Sequence, residues 1–276
     1  MPDPDQPYVP KLSQAGRALT KAVSAIDEKG RVRDVHVAGE YPLTLVVDGR
    51  EIVTLMTMGG NPEVLALGFL RNQRLIEDIE EIASVTVDWT EELAHITTRH
   101  GRGLSDQESK LSGRTITTGC GQGTVFAHTL DMLYDTTLPP VTVSQSTILD
   151  LLRHIGSHNE LYKKAGAVHG CGLCRGSEVM IFVEDVGRHN AADAISGRMW
   201  LDRIDGGDKI FYTTGRLTSE IVMKTALMGV PILLSRSGIT QMGLELAQHL
   251  GMIMIARARA GSFLVYNAAD RVDLDS

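Results

Sequence analysis

Between Arg31 and Leu55 apolar and polar residues follow a strand-like pattern, in VRDVHV, LTLVVDG and EIVTLMT. The Asp48-Gly49 pair between the last two predicts a tight hairpin. Asn61-Pro62-Glu63 then predicts a helix start, with Asn61 at the cap and Pro62 in the first turn. An apolar face continues it through Val64, Leu65, Leu67 and the stretch from Leu70 to Leu75. Ile82 to Trp89 and Ala94 to Thr98 read as two further strands. Ser146 to Tyr162 reads as one helix, with Ile148, Leu151, Leu152 and Ile155 on one face. Ala165 to Cys174 and Glu178 to Val183 form two strands around the Arg175-Gly176 turn, and a helix follows Gly187. Strand and helix alternate from there: Lys209 to Thr213, Ser219 to Met228, Pro231 to Ser235, Gln241 to Leu250, Met252 to Arg257. That alternation predicts an α/β fold with a parallel sheet and right-handed crossovers.

The polar, Pro-rich start of the chain predicts a flexible tail over residues 1–30. The Leu138-Pro139-Pro140 run marks a boundary. A smaller α/β domain is expected over 31–142 and a second, ligand-binding domain over 143–276. The chain of 276 residues is long enough to bury a real core. No apolar run is long enough to span a bilayer, and the first residues lack the apolar core of a secretory signal. The formal net charge of −7 argues against a nucleic-acid partner, which favours a basic surface. It leaves room for a local basic pocket. Three cysteines do not make a disulfide framework in a chain of this size, so a reducing cytoplasm is expected.

Candidate chemistry concentrates at the predicted strand ends. In open α/β sheets ligands sit beyond the carboxyl ends of the strands. Three loops fall there, 184–190, 214–219 and 257–263, all rich in Gly, Arg and small polar residues. The first carries Asp185 and Asn190 as hydrogen-bonding groups, with Gly187 and Arg188, and His189, whose ordinary pKa suits proton transfer near neutral pH. The second, Thr214-Gly215-Arg216, predicts a helix start whose backbone N–H groups attract anions, with a guanidinium fork added. The third, Arg257-Ala258-Arg259-Ala260-Gly261-Ser262, adds two more guanidiniums. Together they predict a pocket for a large anionic ligand, a nucleotide or a nucleotide-bearing cofactor.

Cys120 stands apart, in the Gly-rich loop Thr117 to Thr124. A thiol there is reachable by water, and basic neighbours such as Arg114 would raise its thiolate population. Cys171 and Cys174 have the spacing of a chelating or redox pair. The segment AVHGCGLC reads as a strand, however, so residues three apart point to opposite faces. They are expected to be small residues of a buried strand, with no stably bound metal.

The run from Glu184 to Ala191, EDVGRHNA, resembles the E-D-V-G-R-H-N-A signature of the FdhD/NarQ family. Gly215-Arg216, Ser219 to Val222 and Lys224 are similar to its S-G-R-x-S-x-E-M-V-x-K stretch. Leu65 to Leu70 resembles its L-A-x-G-F-L helix, and Gly166 to His169 its T-G-x-x-H strand. The resemblance implies a sulfurtransferase that serves formate dehydrogenase. A cysteine desulfurase would load sulfur on a loop cysteine as a persulfide. The sulfur would pass to a molybdenum bis(molybdopterin guanine dinucleotide) cofactor, here a bound substrate, before insertion into the catalytic subunit of the dehydrogenase. The implied fold is cytidine-deaminase-like, with a smaller α/β domain before it, and the implied assembly is a homodimer. Cys120 takes the carrier role. The cofactor-binding role falls on Arg257 to Ser262, joined by His169 and by the strand-end residues already named; a guanine nucleotide is expected to fit the same pocket. The family's C-G-x-C loop reads Cys120-Gly121-Gln122-Gly123 here, without its second cysteine. Two other readings remain: a cofactor-binding chaperone that moves no sulfur, and a zinc-dependent deaminase-like enzyme. The latter would need an H-x-E motif and a P-C-x-x-C pair, whereas His169 is followed by Gly170-Cys171 and no Pro precedes the C-x-x-C.

Overall fold

The computed structural model describes residues 8–101, 104, 133 and 136–274; Cys120 and Arg114 lie outside them. Two sheets organise the described chain. The first has five strands in the order β1-β6-β7-β4-β5. They are β1 (Lys11–Leu12), β4 (Tyr41–Val47), β5 (Arg50–Thr57), β6 (Ile82–Asp88) and β7 (Leu93–Thr98). Asp48 and Gly49, with φ of +46° and +85°, make the expected β4–β5 hairpin. Both sit in the left-handed region that matches the twist of the flanking strands. Helix α1 (Pro62–Asn72) covers this sheet with Leu65, Leu67, Phe69 and Leu70. Each such fully buried side chain contributes about 1.5–3 kcal/mol.

The tail expected up to residue 30 is a correction for its described part. The Glu63 carboxylate accepts from Ser13 Oγ at 2.6 Å and from Ala15 N at 2.7 Å. These contacts pin the segment behind β1 to the first turn of α1. Strands β2 (Thr20–Ile26) and β3 (Val32–Ala38) then pair as an antiparallel ribbon. Asn61 holds the cap position with Pro62 behind it, but its side chain makes no capping hydrogen bond.

The second sheet has six strands in the order β10-β9-β11-β12-β13-β14. They are β9 (His169–Arg175), β10 (Glu178–Asp185), β11 (Lys209–Thr213), β12 (Ile232–Ser235), β13 (Ile253–Arg259) and β14 (Ser262–Asn267). The central β11, β12 and β13 are parallel, as the alternating pattern predicts. β9 runs against β10 and β11, and β14 against β13, so the sheet is mixed. On one face lie α4 (Arg188–Leu201), α5 (Ser219–Leu227) and α6 (Gln241–His249), packed on Cys171, Phe211, Leu233 and Met254. On the other, α2 (Gln145–Ile155) packs Ile148 and Leu151 against Cys174, Tyr212 and Ile253.

The single helix expected over 146–162 is broken. α2 ends before Gly156, and α3 (Glu160–Ala165) starts afresh after a 3-10 turn. The Glu184 carboxylate accepts from Leu161 N at 2.8 Å and Tyr162 N at 2.9 Å. It caps a helix start that the apolar face of Ile148, Leu151, Leu152 and Ile155 does not reveal. The two sheets meet where α1 crosses α4. A Cβ on Gly68 would lie 1.6 Å from the Asp193 carbonyl oxygen, and one on Gly197 would lie 2.0 Å from that of Val64. Only glycine fits at either point.

Candidate functional site

β10, β11, β12 and β13 all end at one rim of the second sheet, because the two reversals around β9 leave β10 parallel to β11. The rim is stitched together by backbone and hydroxyl groups. Gly170 N donates to Thr214 Oγ1 at 3.1 Å, and Thr214 N donates to the Gly170 carbonyl at 2.9 Å. Ser235 Oγ donates to the Gly215 carbonyl at 2.6 Å. Leu217 N donates to the Gly238 carbonyl, and Arg257 N to that of Ser237.

The predicted helix start at Gly215 is a correction. Gly215 N donates to Thr213 Oγ1 at 3.1 Å, and α5 begins only at Ser219, with Thr218 in the cap position. Residues 214–217 form a locked loop instead, and Arg216 projects from it exposed. A Cβ on Gly215 would stand 2.6 Å from Arg188 Cδ, so the glycine is what lets the Arg188 stem cross the loop. His169 is half-buried here. Burial lowers its pKa, and the charges of Arg188 and Arg216 lower it further. His169, Arg188, Gly215 and Arg216 therefore form one basic corner.

The expected basic stretch 257–262 is the β13–β14 hairpin. Arg257 sits at a bulge with φ of +51°, Ala258 is buried, and Arg259, Ala260, Gly261 and Ser262 are exposed. Arg236, also exposed, stands at the end of β12. Sequence reasoning found the strand Pro231 to Ser235 but passed over the Arg-Ser pair behind it. The rim thus presents Arg188, Arg216, Arg236, Arg257 and Arg259 on a chain of net charge −7, a local field that favours anions.

The EDVGRHN run divides its labour. Asp185 accepts from Thr57 Oγ1 at 2.6 Å, Met58 N at 3.1 Å, Gly187 N at 3.0 Å and Asn190 Nδ2 at 3.0 Å. Asn190 Nδ2 also donates to the Met56 carbonyl at 2.6 Å. These two side chains fasten the second sheet to the free edge of β5, so the Asp185 carboxylate and the Asn190 amide nitrogen are engaged within the protein. Burial raises the Asp185 pKa, with its donors opposing. Both residues also border a cavity of about 470 Å³ between the sheets, beside Thr57, Asn61, Leu161 and Phe182.

His189 is a second correction. Burial first, then Lys224, Arg188 and His169, push its pKa to about 2. That shift favours the neutral ring near neutral pH. Its Nε2 lies 3.3 Å from Glu220 Oε2, a contact between a neutral ring and a carboxylate.

Cys171 and Cys174 are both buried, on opposite faces of the sheet, so they cannot share a metal ion. Burial pushes each thiol up to about 12, which keeps both in the inert thiol form. Cys120 lies outside the described residues.

The family model of FdhD/NarQ matches residues 38–273. The chain is 32% identical over 237 residues to a sulfur carrier protein FdhD of Bacillus pumilus strain SAFR-032, covering 86% of this chain and 90% of that one. It is 29% identical over 248 residues to the Bacillus subtilis protein of the same name, covering 89% and 94%. Among solved structures it is similar to one described as a formate dehydrogenase accessory protein from Desulfotalea psychrophila. The TM-score is 0.72 at 29% identity, over 92% of this chain and 98% of that one. No helix among the described residues is long and apolar enough to cross a membrane. By the extent of the family match and of these similarities, this chain belongs to the FdhD/NarQ family.

Proposed function

We propose that the protein is a cytoplasmic sulfur carrier that receives sulfur on Cys120 from a cysteine desulfurase and hands it to molybdenum bis(molybdopterin guanine dinucleotide) on its way to formate dehydrogenase. The observation that carries this reading is the arginine rim. Five arginines follow the carboxyl ends of strands of one sheet, and their planar forks suit phosphate oxygens. Arg188 and Arg216 would grip the phosphates beside His169, and Arg257 and Arg259 would hold the more distant part of the substrate. Binding energy from these remote contacts would position the metal end for transfer.

Cys120 suits the carrier role by chemistry. The other two cysteines are buried with thiols raised to about 12, which leaves Cys120 as the reactive candidate. A single thiol suffices, because the same sulfur accepts the sulfane atom and later releases it. The reading includes a cytidine-deaminase-like arrangement of the second sheet and a homodimer.

Gly123 in place of a second loop cysteine favours one competing account, a chaperone that binds the substrate without moving sulfur. Cys120→Ala separates the two. The carrier reading expects this variant to bind guanine nucleotide as the wild type does and to lose maturation of the dehydrogenase. Full maturation by the variant would establish the chaperone instead.

A further inference from the structure

Lys224 is an unusual residue to find sealed inside a protein. Its side chain is 5% exposed, and its Nζ lies 2.7 Å from Asp193 Oδ2 and 3.6 Å from Glu220 Oε1. Burial alone would lower the ammonium pKa, but Asp193 and Glu220 outweigh it, and the group ends above its ordinary value. Its two carboxylate neighbours therefore favour the ammonium form. Each carboxylate uses its second oxygen elsewhere. Glu220 Oε2 faces His189 Nε2 at 3.3 Å. Asp193 Oδ1 accepts from Asn72 Nδ2 at 2.7 Å, and Asn72 Oδ1 accepts from Ser196 Oγ at 2.9 Å.

These contacts form one unbroken chain. It starts at the rim, where the Glu220 side chain is 25% exposed, and ends inside the α1–α4 crossing. Asn72 belongs to α1, under the first sheet. Asp193 and Ser196 belong to α4, under the second. The chain crosses close to where Gly68 and Gly197 leave no space between the helix backbones. A buried charge pair is weak as a source of stability, since an apolar pair of similar volume often serves as well. Its geometry, in contrast, is specific.

We propose that Lys224 is a positioning residue for the substrate rim: it holds the Glu220 carboxylate against the His189 ring and, through Asp193 and Asn72, fixes that rim to the helix of the neighbouring sheet. The inference rests on the reading that the rim holds substrate. His189 presents its ring at the start of α4, beside Arg188, and both ring nitrogens lack a hydrogen-bond partner among the described residues. Both nitrogens are themselves buried, so the ring is kept in place by its surroundings and acts as a fixed wall behind Arg188, with Nε2 turned to Glu220. The charged and titratable groups that face it are Arg188 from its own helix, His169 from β9, and Lys224 and Glu220 from α5.

The test uses Lys224→Met in the full-length protein, with GDP as the probe and imidazole NMR of His189 as the second signal. In the wild type the His189 resonances stay those of a neutral ring down to at least pH 5. Without the lysine, Glu220 faces the ring uncompensated, so His189 begins to titrate at higher pH. The GDP Kd rises by about 3- to 30-fold, the range for residues that act through others. Lys224→Arg keeps a cation at the site and restores the neutral His189 signal. A folded Lys224→Met variant with unchanged His189 titration and unchanged GDP affinity overturns the proposal. Should Lys224→Met not fold, Glu220→Gln at the more exposed end serves in its place, and undiminished GDP affinity in that variant also overturns it. Failure of the wild type to bind GDP contradicts the substrate reading itself, and the His189 signal then decides the role of Lys224 separately.

Discussion

Thr57 and Asp185, 128 positions apart in the chain, meet through a 2.6 Å hydrogen bond. The hydroxyl ends β5, an edge strand of the first sheet, and the carboxylate ends β10, an edge strand of the second. Asp185 accepts three further donors around it. Replacing it with Asn puts an NH2 group where a carboxylate oxygen meets donors, and leaves buried N–H groups unmatched. We expect Asp185→Asn to lose about 2–4 kcal/mol of stability by chemical denaturation. Wild-type stability in that variant would show that the clamp carries no weight.

The α1–α4 crossing gives a sharper steric prediction. A methyl group at position 68 would overlap the Asp193 carbonyl, and one at 197 would overlap that of Val64. Gly68→Ala and Gly197→Ala are each expected to cost about 3 kcal/mol or more by forcing the helices apart. Thermal melts check this, and a melting temperature within a degree or two of the wild type would contradict it.

At the rim, Arg216→Ala and Arg259→Ala are expected to weaken guanine nucleotide binding, each by about 1.5–3 kcal/mol where the charged hydrogen bonds are direct. The loss should shrink at high salt, because both residues are exposed. Isothermal titration reads both effects. Unchanged affinity in both variants would place the ligand elsewhere, with the inter-sheet cavity beside Phe182 as the next site to test.

The histidines predict an acid-sensitive fold. His189 and His169 both have folded pKa values below 6.5. As pH falls below that value, the unfolded chain takes up protons that the native rings refuse, and stability drops. For His189 the slope reaches at most about 1.4 kcal/mol per pH unit. Asp185, with its raised pKa, opposes this at lower pH, where the native carboxyl takes its proton before the unfolded one does. Urea denaturation at pH 7.5 and 5.5 should show the loss, and His189→Asn should reduce it. An equal loss in the variant would assign the effect to other groups.

Much of the second sheet was legible in the sequence, because a parallel strand buried on both faces is a short apolar run and the helices between such runs are amphipathic. Lys209 to Thr213 matches β11 residue for residue. The opposite facing of Cys171 and Cys174 also followed from strand period alone. What the sequence concealed was long-range. Nothing local says that Glu184 caps α3, or that Asp185 and Asn190 reach across to Met56, Thr57 and Met58. A polar side chain at a strand end looks the same whether it faces a ligand or another sheet. Nor does anything local say that Asp193 of α4 and Lys224 of α5 are buried together as an ion pair. Nothing local marks Arg236, which follows a strand end with a single glycine, Gly238, nearby.

The most direct measurement is intact-protein and peptide mass spectrometry after incubation with a cysteine desulfurase and cysteine. The account predicts the gain of one sulfur atom, mapping to the peptide that contains Cys120, with Cys171 and Cys174 unmodified unless the protein is unfolded. A protein that gains no sulfur, or gains it on Cys171 or Cys174, would contradict the carrier mechanism.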